Sequence, residues 1–291
     1  MPRAAGCRVH HGPGLLLGIV LALSGAGLPA VEWAAAPADT IYPHYVADPQ
    51  PPQMRGGLIV AFDSDLEQRW GVGSRRWMLH TGERMPVARA TFGAQGQHRI
   101  QVDGEGGVHG QFDLENGLDN IGWDGWLALR LSYRRVDSPV ALKLSYRHES
   151  SHIGDEFIER TGRGRLGYTR EDLVLGVAWS PRKELTAYGA AGLGVNASSD
   201  FQEAGYARTG LQYIDSTPRF GPWGYAVGLD VQMFEENDWE PGISLRCALR
   251  ASLAAERSFE TAIEFYSGRS VLGEFSRDDE RYLALTVTYD L

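Results

Sequence analysis

The last ten residues constrain this chain more than any other stretch. Leu283, Leu285, Val287, Tyr289 and Leu291 take every second position, and Ala284, Thr286, Thr288 and Asp290 fill the places between. A period of two is the mark of a strand whose two faces meet different surroundings. Here one face is greasy and the other small or polar. The mean hydropathy of -0.27, with 43% hydrophobic residues, is far too polar for helical membrane spans. A wall of strands needs only alternate positions to be apolar, and Gly 36 with aromatics at 10% suits tight turns and interfacial girdles. The net charge of -9 leaves no basic excess to neutralise phosphates, which excludes nucleic acid as a partner.

The chain opens with a targeting pattern. Arg3 and Arg8 precede an apolar run from Leu15 to Leu23, followed by small residues, so residues 1–30 read as a cleaved secretory signal peptide. Cleavage falls after Ala26 or after Ala30. Cys7 precedes the apolar core and is lost with it, which leaves Cys247 as an unpaired thiol. Residues 31–53 include the Pro-rich IYPHYVADPQPPQ and have no period, as expected of a periplasmic lead-in.

From residue 54 the sequence predicts about twelve strands, near 54–63, 88–96, 98–114, 121–135, 139–150, 165–180, 184–196, 204–214, 222–234, 242–254, 258–267 and 281–291. Their connections alternate long and short, as an up-and-down membrane barrel with both ends in the periplasm requires. Ser64 to Val87 and Ser151 to Gly164 are read as long outer loops, and Val136–Ser138 and Pro181–Lys183 as inner turns. The expected fold is therefore an all-β, transmembrane antiparallel up-and-down β-barrel in the bacterial outer membrane. Outer-membrane lipids are its surroundings, and its closing strand resembles those that the barrel-insertion machinery reads.

Alternation within strands supports the barrel. Trp223, Tyr225, Val227, Leu229, Val231 and Met233 share one face, against Gly224, Ala226, Gly228, Asp230 and Gln232 on the other. Inward Arg130, Lys143, Arg147, Arg246 and Arg250 would meet Glu149, Asp230, Glu260 and Glu264. Such a lumen is read as plugged by paired charges rather than open.

One strand breaks the pattern. The outward set Val140, Leu142, Leu144 and Tyr146 continues into His148 and Ser150, two polar residues that project toward lipid near the outer leaflet. On the next strand Leu173, Leu175, Val177 and Trp179 set the outward parity, which extends back to Glu171. If Val140 pairs near Trp179, Glu171 falls opposite His148. Ser150, His148 and Glu171 then supply a hydroxyl, a base and an orienting acid on one patch. The plainer alternative is that polar residues above Tyr146 simply sit among lipid headgroups.

The segment His148-Glu149-Ser150-Ser151-His152 also spells H-E-x-x-H, which binds zinc when a helix brings both His to one face. The preceding alternation and Gly154 leave no such helix. Oxygen-rich loops can hold calcium, so His152, Asp155, Glu156 and Glu159 are candidate ligands, with a solvated acidic loop as the plainer reading.

The His148-x-Ser150 pair resembles that of outer-membrane phospholipase A and the lipid A deacylases, which carry such a pair on the outside of a barrel strand. The resemblance implies a serine esterase acting on outer-leaflet lipids. It covers one hairpin, and those enzymes follow the serine with Asn where this chain has Ser151. Over most of its length the chain resembles an outer-membrane barrel family catalogued only as a domain of unknown function, through YPHYVADP, YRHESSHIGDEFIER, FEENDWEP and EFYSG. That second resemblance implies fold and location, with a structural, transport or interaction role through the outer loops, and no established activity.

Overall fold

The computed structural model describes residues 31–197, 205–254 and 257–290. The signal-peptide reading of residues 1–30 lies outside them. A short strand β1 (Glu32–Ala35) precedes twelve longer ones: β2 (Met54–Ser64), β3 (Arg75–Phe92), β4 (His98–Asp113), β5 (Asp119–Arg135), β6 (Val140–Ile153), β7 (Thr169–Arg182), β8 (Leu185–Ala197), β9 (Gly205–Phe220), β10 (Trp223–Phe234), β11 (Gly242–Ala254), β12 (Arg257–Arg269) and β13 (Asp279–Asp290). Each of the twelve pairs antiparallel with its sequence neighbours, and β13 pairs back onto β2, closing the barrel.

The C-terminal alternation sorts as expected. Leu283, Leu285 and Val287 are exposed on the outer wall, whereas Ala284, Thr286 and Thr288 are buried inside. The outer band continues through Leu127, Leu129, Leu175, Leu245 and Ile263, the exposed apolar face that a bilayer covers.

Boundaries differ from the sequence reading in places, as where β9 runs on to Phe220, and most of all at β3. Ser64 to Val87 is not a loop: helix α1 (Asp65–Trp70) ends at Gly71, with φ +63°, and β3 begins at Arg75. The Glu83-Arg84 pair and Pro86 disguise this strand. Its ladder with β4 slips between Pro86 and Ala88, a bulge that tolerates a proline. β2 pairs with β3 only from Arg75 to His80, and β1 only from Ala88 to Thr91.

Between β1 and β2 the chain leaves the wall and runs inside it, rather than remaining below the barrel. Tyr42, Tyr45 and Ala47 are buried there. Gln212 accepts from the Val46 N–H at 2.9 Å and donates to the His44 carbonyl at 2.9 Å. Arg208 pairs with Asp48 at 3.0 Å, and the Tyr45 ring stacks on Tyr188 with centroids 3.8 Å apart. Burial opposes the Asp48 charge, but Arg208, the Gln50 N–H and Arg147 outweigh it and hold the carboxyl below its ordinary value.

Ion pairs fill much of the remaining lumen. Arg246 bridges Glu260 and Glu264, Arg250 meets Glu260 at 2.6 Å, and Arg55 meets Glu264 at 3.2 Å. Arg130 and Arg84 share Glu105, and Arg208 holds Asp230. The anticipated Arg147–Glu149 pair forms at 2.8 Å. Lys143 lies over the rings of Tyr42 and Tyr45 instead of meeting a carboxylate. A cavity of about 150 Å³ remains between these groups.

The outer end carries a small hydrophobic cap. Leu66 of α1, Phe157 of helix α2 (Asp155–Thr161), and Leu272 and Phe275 of the last long loop pack with Val72, Ile121 and Ile153. Beneath it Asp124 accepts from Ser151 and from the Gly273 N–H, and Ser151 accepts from the Glu274 N–H at 2.8 Å. The cap is thereby fixed to the inner wall.

Candidate functional site on the outer wall

The register of β6 and β7 builds the site. Val140 pairs with Trp179, and ten further pairs follow without a slip, so His148 stands opposite Glu171 and Ser150 opposite Thr169. Along β6, Leu142, Leu144 and Tyr146 are exposed while Ala141, Lys143 and Ser145 are buried. The same alternation carries His148 and Ser150 onto the outer wall. The His148 side chain is 42% exposed.

His148 Nδ1 lies 3.3 Å from Glu171 Oε1. The Tyr146 hydroxyl donates to Glu171 Oε2 at 2.7 Å, and Asn196, opposite Glu171 on β8, also bonds this carboxylate. With Nδ1 turned to Glu171, the imidazole presents Nε2 outward. Ser150 follows two residues later on the same face, and among the described residues its hydroxyl has no hydrogen-bond partner, His148 included. The structure thus brings His148 and Glu171 together and leaves Ser150 two residues further along the same face.

The surroundings of Ser150 are small on one side. Its partner on β5 is Gly125, whereas His148 faces Leu127 and Tyr146 faces Leu129. Gly125 offers no side chain there, and the Trp123 ring comes within 3.4 Å of where its Cβ would stand. The patch also marks a boundary in depth: below it come exposed Leu129 and Leu173, and above it His152 stacks on Trp123 with centroids 4.3 Å apart. Ester groups of a bilayer lipid occupy that transition between apolar band and aromatic girdle.

Tyr146 and Asn196 were not foreseen as site residues. Tyr146 reads in sequence as a girdle aromatic, and only its position two residues before His148 hints that its hydroxyl reaches the same acid. Asn196 has no signal in sequence beyond polarity near a strand end.

The candidate metal residues that follow have other partners. The stacked His152 ring lies on the outer wall, and β6 continues to Ile153, so the H-E-x-x-H letters lie on a strand. Asp155 and Glu156 open helix α2, where acids suit the positive end of the helix, and Asp155 pairs with Arg165 at 2.7 Å. Among the described residues no group of three or more His, Cys, Asp or Glu side chains converges as metal ligands.

Known proteins fit this architecture. Outer membrane phospholipase A from Escherichia coli superposes with a TM-score of 0.56 at 11% identity, over 87% of this chain and 95% of that one. The Salmonella typhi outer membrane phospholipase, a dimer with bound calcium, gives 0.57 at 9% identity, over 87% and 94%. At such identity the likeness is one of fold, that of an outer-membrane-type barrel. No curated protein matches the sequence. A family described as a protein of unknown function, DUF1207, matches residues 32–291.

Proposed function

The chain belongs to the DUF1207 family of unknown function, and we propose that it is a lipid-ester hydrolase acting on the outer leaflet. Ser150 is the nucleophile, His148 the general base and Glu171 the acid that orients the base. The observation that carries this reading is the contact between His148 Nδ1 and Glu171 Oε1 at 3.3 Å, on the lipid-facing wall. An ion-paired or hydrogen-bonded acid-base couple serves no purpose in burying apolar surface, and the same wall is otherwise apolar below it.

The chemistry follows from the geometry. The Ser150 oxygen attacks the ester carbonyl carbon while His148 Nε2 takes its proton, and Glu171 stabilises the resulting imidazolium. Collapse of the tetrahedral intermediate breaks the bond to the alcohol, which leaves with the proton from His148. Water activated by the same imidazole then hydrolyses the acyl-serine. The free fatty acid and the lysolipid are the products. An outward site meets its substrate in the membrane plane, so no passage through the lumen is required.

The filled lumen favours this reading over transport, since ion pairs and residues 41–53 occupy the route a solute would take. The outer membrane phospholipase A of similar fold, one form of which is an active-site mutant, lends the reading analogy of architecture. We also assign β13 as the strand read by the insertion machinery, from its alternating apolar face.

The test is hydrolysis of phospholipid and of lipid A by the refolded protein, with and without calcium, against Ser150→Ala and His148→Ala variants that fold. Fatty-acid release that disappears in both variants supports the assignment. Absence of cleavage in the wild type, or turnover that survives Ser150→Ala, overturns it.

A further inference from the structure

At the opposite end of the barrel two arginines face each other without a counter-charge. Arg99 of β4 and Arg134 of β5 are direct cross-strand partners. Gln101 and Asp103 on one strand, and Arg130 and Ser132 on the other, are buried on the lumen side. The two-residue period sets Arg99 and Arg134 on that side as well. They lie one residue inside the strand ends at His98 and Arg135, and both are half-buried.

Like charges directly opposite each other in a sheet destabilise it unless a carboxylate intervenes. None does here. Among the described residues neither guanidinium has an ion-pair or hydrogen-bond partner. The nearby acids are engaged elsewhere: Asp39 pairs with Arg89 at 2.8 Å and Asp137 with Arg135 at 2.6 Å. Glu32 shares the row but stands beyond Thr91, about 10 Å away by two strand spacings. In a chain of net charge -9, two unmatched cations in register are an exception that calls for a ligand.

We infer that Arg99 and Arg134 form an oxyanion site at the inner mouth of the barrel, for a phosphate or similarly shaped anionic group. Direct partners hold their Cβ atoms about 5 Å apart, so two planar guanidinium forks can grip one tetrahedral anion from both sides. The lumen-side placement opens the site to periplasmic water. The exposed Trp33, Trp179 and Phe220 at the same end mark the level of the inner-leaflet headgroups. Because the pair stands one residue inside the strand ends, at the rim of the barrel, the phosphate can belong to a soluble molecule or to a lipid headgroup that reaches over that rim. This site is independent of the outer-wall chemistry.

The test compares wild type with Arg99→Gln, Arg134→Gln and the double variant, each checked for folding by heat-modifiable gel migration. Inorganic phosphate is titrated calorimetrically in neutral detergent. Thermal stability is then measured in nanodiscs of phosphatidylcholine with and without phosphatidylglycerol. Phosphate binding in the wild type, weakened roughly tenfold or more by each substitution, supports a site for a soluble oxyanion. No response to free phosphate, but a stabilisation by phosphatidylglycerol that the double variant loses, supports the lipid as its source. Each Gln variant is also expected to be more stable than wild type in phosphate-free detergent, because the repulsion is gone. A wild type that responds to neither anion, or a double variant that responds as wild type does, overturns the site.

Discussion

The Tyr146 hydroxyl and the Glu171 carboxylate meet at 2.7 Å on the outer wall, and that bond fixes which carboxylate oxygen His148 receives. Tyr146 takes Oε2, so Oε1 is left for the imidazole. A glutamate in the open, with three rotatable bonds, would otherwise sample many positions. The tyrosine and Asn196 hold it in one.

Tyr146→Phe removes this anchor while keeping the ring. Losing this exposed hydrogen bond is expected to slow the reaction roughly two- to tenfold if it is felt in the transition state. The expected result is a fall in kcat for lipid-ester hydrolysis with KM little changed, smaller than the loss from Glu171→Ala. Steady-state kinetics on mixed micelles measures both.

Arg246 tests the lumen network. It is almost fully buried and donates to Glu260 and Glu264. Replacing it with Met leaves two carboxylates with fewer counter-charges in a low-dielectric interior, and breaking such buried pairs typically costs about 3–5 kcal/mol. The Arg246→Met barrel is expected to unfold at clearly lower urea concentration in lipid, as followed by tryptophan fluorescence.

Gly154 joins β6 to helix α2, and a Cβ there would lie 1.7 Å from the Asn120 carbonyl oxygen. Backbone cannot yield as a side-chain tip would. Gly154→Ala is therefore expected to push α2 away from β5, separating Phe157 from Ile121 and loosening the cap. Limited proteolysis should cut residues 155–168 faster in the variant, while the barrel itself stays resistant.

Much of the fold was legible because a membrane wall imposes a strict two-residue period on each strand. The β6–β7 pairing could be read from Val140 and Trp179 alone, since parity leaves few registers, and it placed Glu171 against His148 as found. Where the wall is not the constraint, the sequence misleads. The upper part of β3 carries Trp77 and Leu79, but Glu83, Arg84 and Pro86 below them belong to the region where chain crosses into the lumen, so the period fails. Residues 39–53 show no period because their partners are lumen side chains such as Gln212 and Arg208 rather than a neighbouring strand. The Tyr146 and Asn196 contacts depend on side-chain reach, which periodicity does not encode.

The lumen makes a prediction about permeation. Residues 41–53 cross it, ion pairs crowd the wall beside them, and the cap of Leu66, Phe157 and Phe275 closes the outer end. Wild-type protein in a planar bilayer is therefore expected to show no steady open conductance at neutral pH. Closure should also persist on mild acidification. The Asp48 carboxyl is held below its ordinary value of 3.8, so its contribution is fully present above that value and is lost only as the pH falls through the lower, folded one. Asp48→Asn combined with Arg208→Gln weakens the hold on the inner segment without adding bulk, and should raise the frequency of brief openings. A steady wild-type conductance of porin size at pH 5 to 7 would contradict the closed lumen.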